Sequence, residues 1–305
     1  MEVLARQRGC LLGLACGDAV GTTVEFRKRG SFPPVTDMTG GGPFRLPVGA
    51  WTDDTSMALC LASSLAELGR FDAVDQMRRY CNWYEHGYLS SMGKCFDIGL
   101  TVRGSLARFQ ESGDPFSGRT DVQSGGNGCI MRLAAIPIFF YPDPIAVAHY
   151  ASESSRTTHG SPECLESCQL LAGMISTAFA GGSKDDVLFG QKPDQFQSPK
   201  VRAIAAGEYR KKTAKSISGS GYVIHCLEAS AWCFWKTDSF RDAILMAANL
   251  GDDADTTGAV CGQIAGAFYG EGDIPAEWLT RLVMVNEIRS LADRLAAPKV
   301  AAGNT

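Results

Sequence analysis

Histidine is scarce in this chain, with four residues in 305, and no two of its eleven cysteines are spaced as CxxC. Those two lacks remove the usual zinc frameworks, and an odd cysteine count in a chain of this length cannot pair completely. Long apolar runs are missing too. No segment approaches the roughly 18 uninterrupted apolar residues that a membrane span needs. The N-terminus is basic and then briefly apolar, like a signal peptide. Gly13, Gly17 and Asp18 break that stretch, however, and it continues with helical periodicity. The chain therefore reads as cytoplasmic, with no membrane partner. Positive charge is not in surplus: 29 Lys and Arg stand against 33 Asp and Glu, a net −4. A nucleic-acid backbone would meet no broad basic footprint, so nothing in the charge asks for such a partner. Period-two alternation is sparse and β-branched residues are thinly spread, which argues against a sheet.

What is present is helical. Hydrophobic residues make up 45% of the chain, enough to bury a large core. Helical spacing predicts helices over 3–19, 55–69, 72–86, 97–111, 128–139, 143–152, 162–180, 200–212, 222–235, 239–249, 254–269 and 275–295. Gly69 is placed to cap the second of them. The fold class is all-α: a compact, multi-helix orthogonal bundle. Without an internal repeat or a clear linker, we read one domain over 1–305, with 296–305 as a disordered tail. Cys60, Cys226, Cys233 and Cys261 lie in apolar helical stretches as small buried hydrophobes. Cys164 and Cys168, four apart, could share a metal, but packing is the reading adopted. The segments 27–51, 112–128 and 181–198 read as loops, and loops of that length in a helical protein commonly carry function.

Two acidic clusters stand immediately before predicted helices. They are Thr52-Asp53-Asp54-Thr55 and Gly251-Asp252-Asp253-Ala254-Asp255-Thr256-Thr257. Either one alone is a reasonable N-cap, since Ser, Thr and Asp satisfy the first amides and anions favour that end of the helix dipole. A cap needs one oxygen, however, and adjacent carboxylates repel unless a cation neutralises them. An all-oxygen donor set suits magnesium, manganese or calcium, so a two-metal carboxylate site is the favoured reading. Gly258, Gly262 and Gly266 then lay a smooth stripe along the second helix, where another helix can pack closely.

The segments GDAVGTTVEF (17–26), AWTDDTSMAL (50–59), GGNGCIMR (125–132), THGSPE (158–163), SGYVIHCLEASAW (220–232) and NLGDDADTTGAVCGQIAGAFYG (249–270) occur in this order. Together they resemble the motifs of the ADP-ribosylglycohydrolase family, over about residues 5–295. The resemblance implies a single all-α domain with two magnesium or manganese ions in a central cleft. It implies metal ligation by Thr52, Asp53, Asp54, Asp253, Asp255 and Thr256. Glu25 matches an acidic residue near the metals and the scissile bond; otherwise it is a solvated charge at the end of the first helix. The family usually has Gly where this chain has Asp252, which is read as pointing to solvent.

The implied reaction is hydrolysis of the bond between a ribose anomeric carbon and an acceptor, through a state with oxocarbenium character. Glu25, Asp54 and Asp253 are the candidates for steering the attacking water, and these residues do not decide among themselves. Ser124, Gly126, Asn127 and Gly128 precede the predicted 128–139 helix, whose N-terminus would cradle the diphosphate. Tyr222 matches an aromatic position beside the nucleotide, or else is a core ring at a helix start. His159 is either structural or at the rim of the ADP-ribose site. Asp97 matches an aspartate that faces the acceptor in the arginine-specific enzymes, where a carboxylate would pair with a guanidinium. Its other reading is a cap for the following helix. The implied substrate is an ADP-ribosylated protein, with arginine as the acceptor. Serine-linked, nucleobase-linked or small-molecule conjugates, or a non-catalytic ADP-ribose-binding role, remain the alternatives.

Overall fold

The computed structural model describes residues 2–297; of the tail expected over 296–305, Ala296 is the last residue of a helix and 298–305 lie outside the described residues. Its first seven α-helices are α1 (Val3–Gly21), α2 (Asp53–Leu68), α3 (Ala73–His86), α4 (Leu100–Ser112), α5 (Ala135–Phe140), α6 (Pro144–Arg156) and α7 (Pro162–Phe179). The other seven are α8 (Lys184–Phe189), α9 (Pro199–Ala205), α10 (Val223–Lys236), α11 (Phe240–Ala248), α12 (Ala254–Tyr269), α13 (Ala276–Arg281) and α14 (Val285–Ala296). Among the described residues the only β pairing is three isolated bridges. No helix there is long and apolar enough to cross a membrane. The all-α expectation holds.

α1 and α12 form the axis of the molecule. From Gly9 to Gly21 every residue of α1 is buried, and so is every residue of α12 from Ala254 to Ala267. A helix buried on all sides needs apolar or small residues around its whole circumference, and both sequences supply them. The two run antiparallel in contact along glycine. A methyl group on Gly13 would overlap the Gly262 carbonyl; Gly17 meets Gly258 and Gly9 meets Gly266 in the same way, each reciprocally. The stripe predicted on α12 therefore has a matching stripe on α1, extended by Gly21 against the backbone of Ala254 and Asp255. This contact brings the C-terminal end of α1 against the N-terminal end of α12.

Several predicted boundaries move, each for a local reason. Residues 128–134 form turns, and only Ala135–Phe140 is helical. Pro137 lacks an amide hydrogen and is tolerated in a first turn, not in the interior of a helix spanning 128–139. The 200–212 prediction ends at Ala205, because Gly207 at φ 70° turns the chain into a 3-10 segment, Glu208–Lys211. The 275–295 prediction is two helices, parted where Met284 adopts φ 59°. The 181–198 loop contains α8, started by a reciprocal capping box between Ser183 and Asp186. All eleven cysteines are free, and Cys164 and Cys168 are buried packing residues.

Candidate active site

A cleft of about 810 Å³ opens where α1, α2 and α12 meet the 125–128 turn, and its walls gather most of the sequence-selected residues. Its lining includes Glu25, Asp53, Asp97, Asp253, Asp255 and Thr256 together with Gly126, Asn127, Gly128 and His159. Asp54 and Thr52 are buried and do not reach the lining.

The site is organised by a carboxylate that the sequence did not single out. Asp18, fully buried on α1, accepts from the Thr52 amide (2.9 Å), the Thr52 hydroxyl (2.9 Å), the Thr55 amide (3.1 Å) and the Thr55 hydroxyl (2.6 Å). It therefore caps α2 from a neighbouring helix, while Thr52, at the N-cap position, makes no capping bond of its own. The Thr52 proton points to Asp18, which leaves that hydroxyl's lone pairs facing Asp54 Oδ2 and Asp255 Oδ2, each 3.4 Å away. Asp53 and Asp54 occupy the first turn of α2, and Asp253 and Asp255 flank the start of α12. On the far side, the Asn127 side-chain amide donates to Asp253 Oδ2 at 2.7 Å, and the Asp253 amide donates to the Gly219 carbonyl at 2.9 Å.

These carboxyls sit too close, and too far from water, to ionise together. Burial, then the neighbouring Asp97, Asp253 and Asp53 charges, push Glu25 up to about 10. Burial lifts Asp18 and Asp97 to about 6, and raises Asp53, Asp54 and Asp255 well above the carboxylate range, with mutual repulsion adding to it. Ligand oxygens of Glu25, Asp97 and Asp255 lie within 4.8 Å of one another. Asp54 Oδ1 and Asp255 Oδ1 are buried without a hydrogen-bond partner. Orphaned, crowded anionic oxygens of this kind fit hard divalent cations. Asp97 is not a helix cap, since Gly99 holds that position before α4 and the Asp97 carboxyl joins the acidic group instead.

The glycine turn is built differently from expectation. Gly126 bridges Tyr222, the Asn127 amide donates to the Gly221 carbonyl (3.0 Å), and the Val223 amide donates to Gly125 (2.9 Å). No helix N-terminus faces the cleft here, because residues 128–134 are turns. Ser124 bonds Asp121 at 2.9 Å on the surface and is not part of the lining. Tyr222 packs its ring against Gly125 from behind, with its hydroxyl between Lys200 Nζ (2.6 Å) and Glu163. It braces the wall and does not line it.

His159 does line the cleft, with Nδ1 at Thr158 and Nε2 at the glycine turn. Buried Arg132 donates to the Thr158 hydroxyl (2.7 Å), which lies 2.8 Å from His159 Nδ1; we assign that hydroxyl's proton to Nδ1. On that assignment Nε2 carries the ring hydrogen, facing the turn at Gly126 and Gly128. Burial drives the ring's pKa down to about 4. His159 is thus a neutral donor at physiological pH. We expect its Nε2 to remain protonated and its ring uncharged from pH 5 to 8 by NMR. Thr158→Val should release that tautomer; an imidazolium already formed at pH 6 would refute the arrangement.

The ADP-ribosylglycohydrolase family model matches residues 1–304. The chain belongs to this family. It is 45% identical over 295 residues to the ADP-ribosylarginine hydrolase Tri1 of Serratia proteamaculans, a match covering 96% of this chain and 80% of that relative. It is 31% identical over 300 residues to the ADP-ribosyl-[dinitrogen reductase] glycohydrolase of Rhodospirillum rubrum, covering 96% of each. A solved structure titled ADP-ribosylglycohydrolase-related protein complex superposes with a TM-score of 0.86 at 40% identity, over 97% of this chain and 98% of that one. As an ADP-ribosylglycohydrolase family member the chain is a hydrolase of a glycosidic bond. Asp252, the departure from the usual family glycine, is exposed and adopts φ 57°, a backbone setting that glycine takes without strain and Asp tolerates better than most.

Proposed function

We propose that this enzyme hydrolyses the N-glycosidic bond between ADP-ribose and an arginine side chain of a modified protein, using two divalent cations, magnesium or manganese. The observation that carries this reading is the pair of orphaned carboxylate oxygens on Asp54 and Asp255, in an acidic group that includes Asp97 at the cleft. The relatives described as acting on ADP-ribosylarginine and on dinitrogen reductase support the acceptor.

Thr52, Asp53, Asp54, Asp253, Asp255 and Thr256 would hold the ions. When bound, such ions orient ribose hydroxyls, lower the pKa of a water and neutralise the carboxyl cluster. The chain's own groups divide the remaining work. Neutral His159 Nε2–H and the amides of Gly126 and Gly128 would present hydrogen-bond donors to the diphosphate end, the Asn127 amide being engaged by Gly221. Asp97 pairs with the guanidinium, which holds the leaving group still and balances its charge. Asp54 lies beneath the cleft and Asp253 is held by Asn127, so Glu25 is the base we assign: once bound cations offset the carboxylate repulsion that raises it, its carboxylate would accept a proton as water attacks the anomeric carbon. The C–N bond breaks, its electron pair returns to the guanidine nitrogen, and that nitrogen takes up the proton Glu25 received from the water, which leaves Glu25 ionised for the next turnover. The free cysteines suit a reducing, cytoplasmic setting.

The test is ADP-ribose release from an arginine-linked conjugate with magnesium, with manganese and in excess EDTA. We expect release with either metal and none in EDTA. Release from a serine-linked conjugate alone would replace the acceptor. Metal-independent release would overturn the cation assignment.

A further inference from the structure

Three phenylalanines meet beside the cleft, and one of them, Phe26, is part of its lining. The Phe26 and Phe44 ring centroids are 6.3 Å apart at 76°, and those of Phe44 and Phe96 are 5.2 Å apart at 62°. Phe26 follows Glu25 in the chain and Phe96 precedes Asp97, so the rings border the acidic end of the cleft. Leu100, 84% exposed, continues the apolar rim along the lining.

Core packing does not account for this cluster. Phe26 is 67% exposed and adopts φ 61°, a region that bulky residues avoid. The strain is held by its amide donating to the Asp252 carbonyl (2.7 Å) while the Asp252 amide donates to Arg27 (2.8 Å). A side chain kept in strained backbone and left in water costs the fold stability without returning burial, the pattern seen where function selects a geometry. Phe44 is presented by a small hairpin, closed by reciprocal 2.8 Å bonds between Gly41 and Leu46 and turned at Arg45, φ 55°.

We propose that this aromatic rim binds the polypeptide flanking the modified arginine, making protein-linked ADP-ribose a better substrate than ADP-ribose on free arginine. The inference rests on the arginine reading above. With ADP-ribose reaching inward to the 126–128 turn, the acceptor leaves past Asp97 and the flanking chain must cross these rings. Their faces offer apolar contact to that chain and a cation–π surface to basic neighbours of the arginine.

The experiment compares kcat/KM for an arginine-ADP-ribosylated protein with kcat/KM for ADP-ribosylated arginine methyl ester, in wild type, Phe44→Ser, Phe26→Ser/Phe44→Ser and Phe44→Tyr. The protein-to-small-conjugate ratio is expected to fall at least fivefold in both serine variants and to hold in Phe44→Tyr, which keeps the ring. Melting curves confirm that each variant is folded. A smaller fall in the ratio overturns the rim proposal even if absolute rates drop. Wild-type enzyme that releases ADP-ribose from neither conjugate overturns the arginine reading itself, and the rim with it.

Discussion

Replacing Asp255 by asparagine is expected to lower ADP-ribose release about 10³-fold while raising the melting temperature of the metal-free protein. The first effect follows from position. Asp255 contributes to the acidic group with Glu25 and Asp97, lines the cleft, and carries one of the two orphaned buried oxygens. An amide at the same place keeps the volume but removes an anionic donor, and losing one preorganised electrostatic group in a dry site costs on the order of 10²–10³ in rate or more. The second effect follows from repulsion. Burial and the charges of Glu25, Asp253, Asp54 and Asp18 all oppose ionisation of Asp255, so the native state without cations is strained by this side chain. Asparagine removes a charge and gives its neighbours a donor, for a gain of roughly 1–2 kcal/mol, or about 2–6 °C. Scanning fluorimetry in EDTA, beside the release assay, measures both. Activity within tenfold of wild type, or an unchanged melting point, would break the argument.

The same repulsion sets a pH dependence. Asp18 and Asp97 titrate ordinarily at 3.8 and at about 6 in the folded state, and Glu25 moves from 4.5 to about 10. The folded protein therefore holds protons that the unfolded chain has released. That contribution to stability is complete below 3.8 and is lost as pH rises through about 6, with Glu25 extending the loss toward about 10. Metal-free protein should melt lower at pH 7.5 than at pH 5, and saturating divalent cation should remove most of that slope.

Much of the site was legible because its carboxylates sit in runs: two acidic clusters before two helices, each too rich in oxygen for capping. Residues acting singly were not. Asp18 lies alone in an apolar helix, and only the crossing of α1 with α2 reveals that it caps Thr52 and Thr55. Arg132 reaches Thr158, and through it His159, across 26 residues of chain. Ser124 is expected in the site from a glycine turn read as the start of a helix, and Tyr222 from its match to an aromatic position beside the nucleotide. Once the turn pairs with residues 221–223, Tyr222 falls behind the wall and Ser124 falls outside it. Helix identities followed from periodicity, whereas their ends depended on Pro137, Gly207 and Met284, whose effects are local and conformational.

The glycine stripe of α12 was equally visible, but its partner was not, and the partner gives it consequence. Substituting leucine for Gly262 is expected to abolish soluble, folded protein. Gly262→Ala should cost about 2 kcal/mol net, since overpacking of about 3 kcal/mol is offset by about 1 kcal/mol of gained helix propensity. The reason is that the clash is with backbone: a Cβ on Gly262 runs into the Gly13 carbonyl, and no rotamer change can relieve it. The helices must part, and they carry the site between them, with Asp18 on α1 and Asp253, Asp255 and Thr256 at the start of α12. Gly262→Ala should therefore lose more activity than its loss of stability predicts at a temperature where it is fully folded, because displacements of about 1 Å at a preorganised site can cost on the order of 100-fold. Gly272, with open space around it, supplies the control: Gly272→Ala should leave both melting point and rate near wild type. If Gly262→Ala and Gly272→Ala behave alike, the close crossing of α1 and α12 does not set the geometry of the carboxylate cluster.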